Sequence, residues 1–194
     1  DPDLPALKTR LRQEGFARRD ALEPDWRRRA SEAIAGSALS LPELRGIEPV
    51  GGYWPIRSEV DPLPILAALS GQGRVVALPQ TRLPLLVWRR WQPGEHLAQG
   101  AFGVMEPLDE ALETEPHALL VPLCAFDRRG GRLGYGQGHF DRSIAALSSR
   151  RRPLTIGLAF SVQEVDAVPM DGHDRALDLI VTERGVIRIV QAKK

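Results

Sequence analysis

The chain has 194 residues, 43% hydrophobic and 26% charged, a composition typical of a globular protein with one sizeable core. Its formal net charge of +1 argues against a broad surface for nucleic acid or anionic membrane, so a positive site must be local. No apolar stretch approaches the roughly 20 residues that span a bilayer, and residues 1–20 are too charged for a signal peptide. The single cysteine, Cys124, fits a reducing cytoplasm, where we expect the protein to be located. From its charge and hydropathy we expect no nucleic-acid or membrane partner.

The first predicted element is a helix over residues 4–20, where leucines recur at helical spacing and indicate an amphipathic helix docked on a core. Gly15 is expected to weaken or end it. Lys8 and Arg12 are four residues apart and so share one face, where like charges repel. A solvated basic face and an anion held between the two side chains both fit this spacing.

The rest of the chain alternates helix and strand patterns. Helices are predicted over 25–39, 62–73 and 141–147, and strands over 46–56, 74–79, 84–90, 117–126, 154–160, 177–183 and 185–190. The run at 117–126 is apolar throughout, as expected of a central parallel strand covered on both faces. This alternation predicts an α/β fold: a single three-layer α/β/α domain over residues 1–194, with a mostly parallel, Rossmann-like sheet. Ligands of such sheets bind beyond the carboxyl ends of the strands.

A glycine-rich segment, RLGYGQGHFDR at 132–142, joins the strand at 117–126 to the helix at 141–147. Glycines tolerate positive φ, so several ahead of a helix can aim backbone N–H groups at one anion. The spacing GxGxG matches neither a P-loop nor the dinucleotide fingerprint, and a flexible turn and a phosphate site both stay open. Arg132 and Asp141 favour phosphate, because arginine clamps phosphate oxygens and an aspartate beside them needs a cation between, which predicts magnesium.

A second group of carboxylates, Asp171, Asp174 and Asp178, precedes the strand at 177–183. Asp174 and Asp178 face the same way if this piece is helical, and helix capping or turn solvation explains these aspartates as well as a metal does. Since magnesium takes few protein carboxylates and keeps several waters, one aspartate from each loop would suffice.

Ordered motifs extend over nearly the whole chain. KTRLR (8–12) lies on the first helix, and YWPIRSEVDPLPIL (53–66) places a glutamate before an aspartate. GAFGVMEP (100–107), VPLCAFDRRGGRLGYGQGHFDR (121–142) and HDRALDLIVTE (173–183) follow. Together they resemble the pattern of the 5-formyltetrahydrofolate cyclo-ligase family, also called methenyltetrahydrofolate synthetases. In that pattern the last three motifs read GxxGxxEP, P-x-x-x-F-D followed by RLGxGxGYYDR, and HDxxxDxIVTE.

The resemblance implies an ATP-dependent ring closure that converts 5-formyltetrahydrofolate to 5,10-methenyltetrahydrofolate, with release of ADP and phosphate and with Mg²⁺ as cofactor. In the family's mechanism the formyl oxygen attacks the γ-phosphoryl group of ATP, and N10 then attacks the imidate-like phosphate. Phosphorylation turns a poor leaving group into a good one, so the enzyme mainly aligns two reactants and screens phosphate charge. The expected partners are the folate and ATP, and a monomer is favoured.

The resemblance also implies a cleft between the first helix, residues 53–61 and the glycine-rich loop 130–141. The residues expected to bind the nucleotide are Lys8, Arg12, Arg132, Leu133, Gly134, Tyr135, Gly136, Gln137, Gly138, His139 and Phe140. Those expected to bind the folate are Trp54, Glu59, Tyr135, Gly136, Gln137, Gly138 and His139. Asp141 and Asp174 would hold magnesium, and Arg132 and His139 would act in catalysis. Trp54 serves equally as a stacking partner for the pterin or as core packing.

Two positions depart from the family pattern. His139-Phe140 replaces the usual tyrosine pair, so an imidazole must make any contact of the first hydroxyl, and Gln137 stands where many relatives carry lysine or glycine. If His139 supplies a cation, ATP affinity falls at alkaline pH. Two alternatives stay open: a folate-binding relative impaired in catalysis by these changes, and a sugar-phosphate isomerase on a similar scaffold.

Overall fold

The computed structural model describes residues 3–190, and these form four α-helices and eleven strands. The helices are α1 (Leu4–Asp20), α2 (Pro24–Leu39), α3 (Leu63–Gly71) and α4 (His139–Ser148). The strands are β1 (Val50–Gly51), β2 (Val76–Arg82), β3 (Leu85–Arg90), β4 (Leu97–Gln99), β5 (Met105–Pro107), β6 (Ala118–Pro122), β7 (Ala125–Phe126), β8 (Arg132–Leu133), β9 (Leu154–Leu158), β10 (Leu179–Thr182) and β11 (Gly185–Arg188). Short 3-10 turns lie at Pro42–Leu44, Ala101–Gly103 and Ser161–Gln163. Within residues 3–190 no helix has the length and hydropathy that a bilayer crossing requires.

Seven strands form one sheet, in the order β11-β10-β9-β6-β1-β2-β3. The five inner strands pair in parallel, and β3 and β11 pair antiparallel at the two edges. From β1 the chain continues to β2 on one side, whereas β6 lies on the other, so the strand order reverses between β1 and β6. Ligands of open α/β sheets bind beyond the carboxyl ends of the strands at such a point. The predicted α/β fold with a mostly parallel sheet is confirmed.

Helices cover both faces of the sheet because each inner strand alternates its side chains between them. In β6, Ala118 and Leu120 belong to the core cluster that includes residues of α2 and α3. Leu119 and Val121 belong to the opposite cluster, which includes Ile144 of α4. Since both faces of β6 are buried, its sequence is apolar at every position, and each large side chain contributes about 1.5–3 kcal/mol on burial.

The apolar run predicted as one strand over 117–126 is two elements. β6 ends at Pro122, which lacks the N–H that a continuing ladder needs. Ala125 and Phe126 then pair antiparallel with β8, and the Cys124 N–H donates to the Leu133 carbonyl at 2.6 Å. This hairpin turns the chain away from the sheet and leads it into the glycine-rich loop.

The other predicted strands also extend beyond the observed ones, most of all the one over 46–56. In the segment 46–56 only Val50 and Gly51 pair with neighbouring strands, between Pro49 and Pro55, which have no N–H to contribute. The strand predicted over 154–160 ends at Leu158, and the one predicted over 185–190 ends at Arg188. Ala159 and Phe160 after Leu158 are buried although they lead into a 3-10 turn. Their apolar character therefore made the predicted strand too long.

α1 runs uninterrupted through Gly15, so the prediction that this glycine could end the helix is wrong. A Cβ at Gly15 would lie 2.3 Å from the Cys124 carbonyl oxygen, and the glycine therefore lets α1 pack directly on the chain that follows β6. Gly15 and Arg19 are the buried residues of the helix. Its contacts are with β7, β8 and the 3-10 turn at Ser161–Gln163, so α1 covers the carboxyl end of the sheet rather than one of its faces.

Candidate active site

A cavity of about 770 Å³ opens where β1, β2 and β6 end. Its lining comes from α1, the segments at 53–59 and 102–106, the glycine-rich loop and the loop at 171–174. It includes every residue predicted to bind nucleotide, folate or magnesium: Lys8, Arg12, Trp54, Glu59, Arg132, Leu133, Gly134, Tyr135, Gly136, Gln137, Gly138, His139, Phe140, Asp141 and Asp174. The fold therefore brings the predicted residues together, and their individual roles stay predictions.

The glycine-rich loop ends in the N-terminus of α4. Gly136 and Gly138 have φ angles of 96° and 68°, a region that other residues rarely adopt. Gly138 is the N-cap residue, and no side chain caps the first turn of α4. Backbone N–H groups at this positive end of the helix are thus suited to an anion. The Nε of Arg12 donates to the Gly134 carbonyl at 2.9 Å and ties the loop to α1.

Arg132 is a buried cation at the start of this loop, with 5% of its surface exposed. Its Nη2 donates to Oδ1 of Asp141 at 2.9 Å. Its Nε has no hydrogen-bond partner among the described residues. A buried donor left unpaired costs about 1–3 kcal/mol, more when the group is charged, and a phosphate oxygen would satisfy it. A bound anion thus fits the chemistry of this side chain.

Lys8 forms ion pairs with two aspartates of the cavity. Its Nζ lies 2.8 Å from Oδ2 of Asp171 and 2.6 Å from Oδ2 of Asp174. Burial lowers the pKa of Lys8, but the hydrogen bonds from its ammonium to the two aspartates outweigh that effect and raise the pKa overall. Two cations can share one face of α1 because Lys8 is neutralised by carboxylates and Arg12 is bonded to a carbonyl.

Asp174 and Asp178 do not face the same way, because the chain between them is not helical. Asp178 lies beside the first residues of β9: its Oδ2 accepts the Thr155 N–H at 2.9 Å, and its Oδ1 accepts from Arg152 at 2.7 Å. Of the three aspartates in this group, Asp171 and Asp174 line the cavity.

The carboxylates of the cavity suit a magnesium ion that is shared with phosphates. Asp141 and Asp174 are each paired with a cationic side chain. Over residues 3–190 there is no group of three or more His, Cys, Asp or Glu side chains that could hold a metal. Because Mg²⁺ usually takes one or two protein carboxylates and completes its shell with water and substrate phosphates, this donor set fits an ion that arrives with a nucleotide.

Glu59 is a buried carboxylate in the same cavity. Its Oε2 accepts the Ile56 N–H at 2.9 Å. Burial raises the pKa of Glu59, while the Ile56 N–H, the nearby Tyr135 hydroxyl and the charges of Arg19 and Arg57 oppose the rise. Apolar side chains complete this part of the lining: Trp54, Ile56, Leu86, Phe102, Val104 and Phe140. Trp54 also packs against the core, so it lines the cavity with one part and contacts the core with another.

His139 lies at the start of α4 with its ring centroid 6.0 Å from that of Phe102. Burial and the neighbouring Arg142 lower the pKa of His139. The imidazole is therefore largely neutral above pH 7 and offers a hydrogen bond rather than a charge. The alkaline loss of ATP affinity that a cationic His139 would cause is accordingly not expected.

Sequence reasoning did not assign part of the lining to the site: Tyr53, Ile56, Arg57, Pro79, Thr81, Leu86, Phe102, Val104, Glu106, Pro122 and Asp171. Most of these are apolar residues of strands and turns, and nothing in their spacing distinguishes them from the core. Glu106 had a signal in its place within GxxGxxEP; it is buried, and its Oε1 accepts the Thr81 N–H at 3.0 Å.

Known proteins share this arrangement of sequence and fold. The model of the 5-formyltetrahydrofolate cyclo-ligase family matches residues 5–183. A 5-formyltetrahydrofolate cyclo-ligase of Mycolicibacterium smegmatis is 30% identical over 95% of this chain and 98% of that protein, and one of Haemophilus influenzae is 29% identical over 78% and 85%. The NMR structure of Aquifex aeolicus 5,10-methenyltetrahydrofolate synthetase matches with a TM-score of 0.83 and 34% identity, covering 97% of this chain and 95% of that one. The chain therefore belongs to the 5-formyltetrahydrofolate cyclo-ligase family of ligase enzymes.

Proposed function

We propose that the protein converts 5-formyltetrahydrofolate to 5,10-methenyltetrahydrofolate, with cleavage of ATP to ADP and phosphate and with Mg²⁺ as cofactor. Family membership supports this reaction class. The observation that carries the proposal is one cavity that combines two kinds of site. It has an unpaired buried donor on Arg132 beside the uncapped end of α4, and it has a buried carboxylate, Glu59, among apolar side chains.

The triphosphate would bind at the basic part of the cavity. Arg132 offers its unpaired Nε, and Lys8 and Arg12 add charge from α1. The amides after Gly138 add donors at the positive end of α4. These groups would stabilise the charge that spreads over the γ-phosphoryl oxygens during transfer.

Asp141 and Asp174 would hold the magnesium ion, whose chemistry is to neutralise phosphate charge and fix the geometry of the phosphates. Each aspartate now pairs with a cation, Arg132 or Lys8 respectively. Phosphate oxygens would take over these cations as the carboxylates turn to the metal, so the total pairing of charges is kept.

The folate would bind on the side of Glu59. A pterin presents adjacent N–H donors along one edge, and an ionised carboxylate accepts two of them in a bidentate pair. The apolar side chains, Trp54 among them, would cover the faces of the ring. The N5-formyl group would then face the phosphates across the cavity.

The proposed reaction proceeds by two displacements. The formyl oxygen attacks the γ-phosphorus and ADP leaves, which converts the amide oxygen into a phosphate ester. N10 then attacks the formyl carbon, the C–O bond breaks, and phosphate departs with the former formyl oxygen while N10 loses its proton. N10 is already nucleophilic, so the residues of this chain serve to align, desolvate and screen rather than to abstract a proton first. His139 would donate an N–H to a phosphate or formyl oxygen.

The direct test is the near-ultraviolet absorbance of the methenyl product after 5-formyltetrahydrofolate and MgATP are mixed with the enzyme. R132M should lower the turnover rate by about 100-fold or more, because it removes donors that act on the transferring phosphoryl group. The matched control is R129M, an exposed arginine three positions away. Wild-type turnover in R132M would refute the assignment of Arg132.

A thermal-unfolding titration, together with the absorbance assay, separates the alternatives. A sugar-phosphate isomerase would be stabilised against heat by sugar phosphates and not by MgATP. A catalytically impaired relative would bind the folate and form no methenyl product.

The single thiol, Cys124, is buried and unpaired in the described structure, and we place the enzyme in a reducing cytoplasm.

A further inference from the structure

Asp171 lines the cavity beside Asp174, and both carboxylates hold the same cation. The Nζ of Lys8 lies within 2.8 Å of an oxygen of each. The Lys8 side chain is 12% exposed, whereas those of Asp171 and Asp174 are 40% and 20% exposed. One ammonium group cannot neutralise two carboxylates, so this cluster adds a net negative charge to the cavity.

The turn that holds Asp171 needs a side-chain oxygen at this position but not an ionised one. Oδ1 of Asp171 accepts the His173 N–H at 2.8 Å, and the Asp171 N–H donates to Oδ2 of Asp174 at 2.9 Å. Oδ1 of Asp171 is thus bonded to the backbone and Oδ2 to Lys8. An asparagine would keep the bond through Oδ1, as in other turns of this kind. The turn alone therefore gives no reason for the charge.

The charge of the cavity does not favour a free triphosphate. Its Lys, Arg, Asp and Glu side chains comprise four basic and five acidic groups: Lys8, Arg12, Arg57 and Arg132, and Glu59, Glu106, Asp141, Asp171 and Asp174. Yet the buried Nε of Arg132 has no partner among the described residues, and this unpaired donor indicates an anion. An anion that arrives with a divalent cation satisfies both observations.

We propose that Asp171 is a specificity-determining residue, which makes the cavity select a triphosphate that carries Mg²⁺ over the free triphosphate. The inference rests on the proposed function, in which the phosphates of ATP take over Lys8. Without the metal, phosphate oxygens must compete with Asp171 for Lys8 and are repelled by its charge. The divalent charge of the metal offsets that repulsion. Asp171 precedes the segment HDxxxDxIVTE, so this part of the family pattern does not include it.

The test is the Kd of ATP, measured by calorimetry without folate, once with excess Mg²⁺ and once with a chelator, for the wild type, D171N and D171E. D171N should bind free ATP about three to ten times more tightly than the wild type, a modest gain because water screens a partly exposed charge. Its Kd for MgATP should stay within about twofold, because a weaker attraction to the metal offsets the weaker repulsion of the phosphates. D171E keeps the charge and should keep the ratio of the two Kd values.

Ionic strength supplies a readout that a turn-forming role would not move. The gain of D171N for free ATP should largely disappear at about 1 M salt, where the Debye length is about 3 Å. D166N is the matched control, because Asp166 is an exposed carboxylate five positions earlier that does not line the cavity. It should change neither Kd.

Equal losses of affinity for free ATP and MgATP in D171N would overturn the inference, because they would show that Asp171 only shapes the turn. Two unchanged Kd values in D171N would overturn it as well, and methenyl formation by the wild type would then leave the proposed reaction standing. A wild type that forms no methenyl product and does not bind MgATP would overturn the proposed function and this inference together.

Discussion

At the scale of single residues, a substitution of Lys8 distinguishes the proposed nucleotide site from the proposed folate site most clearly. K8M removes the ammonium that Asp171 and Asp174 now share and that the phosphates of ATP would take over. The KM for ATP should therefore rise about tenfold or more, and the KM for the folate should stay within about twofold. Steady-state kinetics with each substrate varied in turn measures both values.

R10M is the control for Lys8, because the Arg10 side chain lies on the same helix and is 68% exposed. It should change neither KM. Equal increases in the two KM values for K8M would mean that Lys8 holds the shape of the cavity and does not act on the nucleotide.

The sequence already singled out the residues of the glycine-rich loop and the lone lysine of the first helix, because their types and spacing are unusual. It did not single out Arg19, which is one of many arginines in this chain. The burial of Arg19 depends on contacts with Ser58, Leu123 and Tyr135, all distant in sequence. Such long-range contacts leave no periodic signal in a single sequence.

At the scale of elements, the packing of α1 on the chain after β6 depends on Gly15. G15A would place a Cβ 2.3 Å from a backbone oxygen, so the helix or the chain at Cys124 must move. We expect a loss of about 1–3 kcal/mol in the free energy of unfolding, the usual cost of overpacking. Urea denaturation followed by circular dichroism measures it.

G36A is the matched control for this helix packing. Gly36 is an exposed residue of α2, and a Cβ there would meet no atom within 4 Å. The substitution should stabilise the protein by about 0.5–1 kcal/mol, because alanine restricts the unfolded chain and favours the helix. A loss in G36A as large as in G15A would show that helix propensity, and not the close approach at Cys124, decides both results.

The loop between β7 and β8 is held by Asp127, which is 1% exposed. Its carboxylate accepts the N–H groups of Val168, Arg129 and Gly131 at 2.8, 2.8 and 3.1 Å. Burial raises the pKa of Asp127, but these hydrogen bonds outweigh it and lower the pKa overall. The stabilisation is therefore complete above the pKa of an unfolded aspartate, about 3.9, and is lost as the pH falls through the lower folded value.

The expected result for Asp127 is a free energy of unfolding that declines below about pH 4 in the wild type and declines less in D127N. At pH 7 D127N should be less stable by about 1–3 kcal/mol, because buried N–H groups lose their acceptor. Urea denaturation between pH 3 and 7 measures both effects. D25N, at a carboxylate that is 85% exposed, is the control and should keep the stability and pH dependence of the wild type.

Element boundaries were harder to predict than element types. The apolar run at 117–126 is buried at 118–121 and again at 123–126, although β6 ends at the half-buried Pro122 and a hairpin follows. Burial gives the same apolar composition to the strand and to the turn that leaves it, so the pattern alone cannot mark the end. The break matters because it starts the hairpin that returns the chain to the cavity as the glycine-rich loop.

At the scale of the whole molecule, the alternation of helix and strand patterns was sufficient to predict the fold class. The order of the strands was not predictable, because pairing between β1 and β6 joins segments more than sixty residues apart. That pairing creates the reversal of strand order at which the cavity lies. The residues of the site were thus identifiable one by one, whereas their meeting point follows from long-range topology.

The stability of the whole protein should report how magnesium enters. Asp141 and Asp174 are already paired with Arg132 and Lys8, so Mg²⁺ alone must displace a cation from each and should leave the thermal midpoint unchanged. MgATP supplies phosphate oxygens for the displaced cations, and at 100 times its Kd it should stabilise the protein by about 2.7 kcal/mol. Thermal unfolding with Mg²⁺, ATP plus a chelator, and MgATP measures the three cases. Stabilisation by Mg²⁺ alone as large as by MgATP would mean that the protein binds the metal without the nucleotide. It would also mean that the ion pairs with Arg132 and Lys8 do not prevent Asp141 and Asp174 from binding the metal.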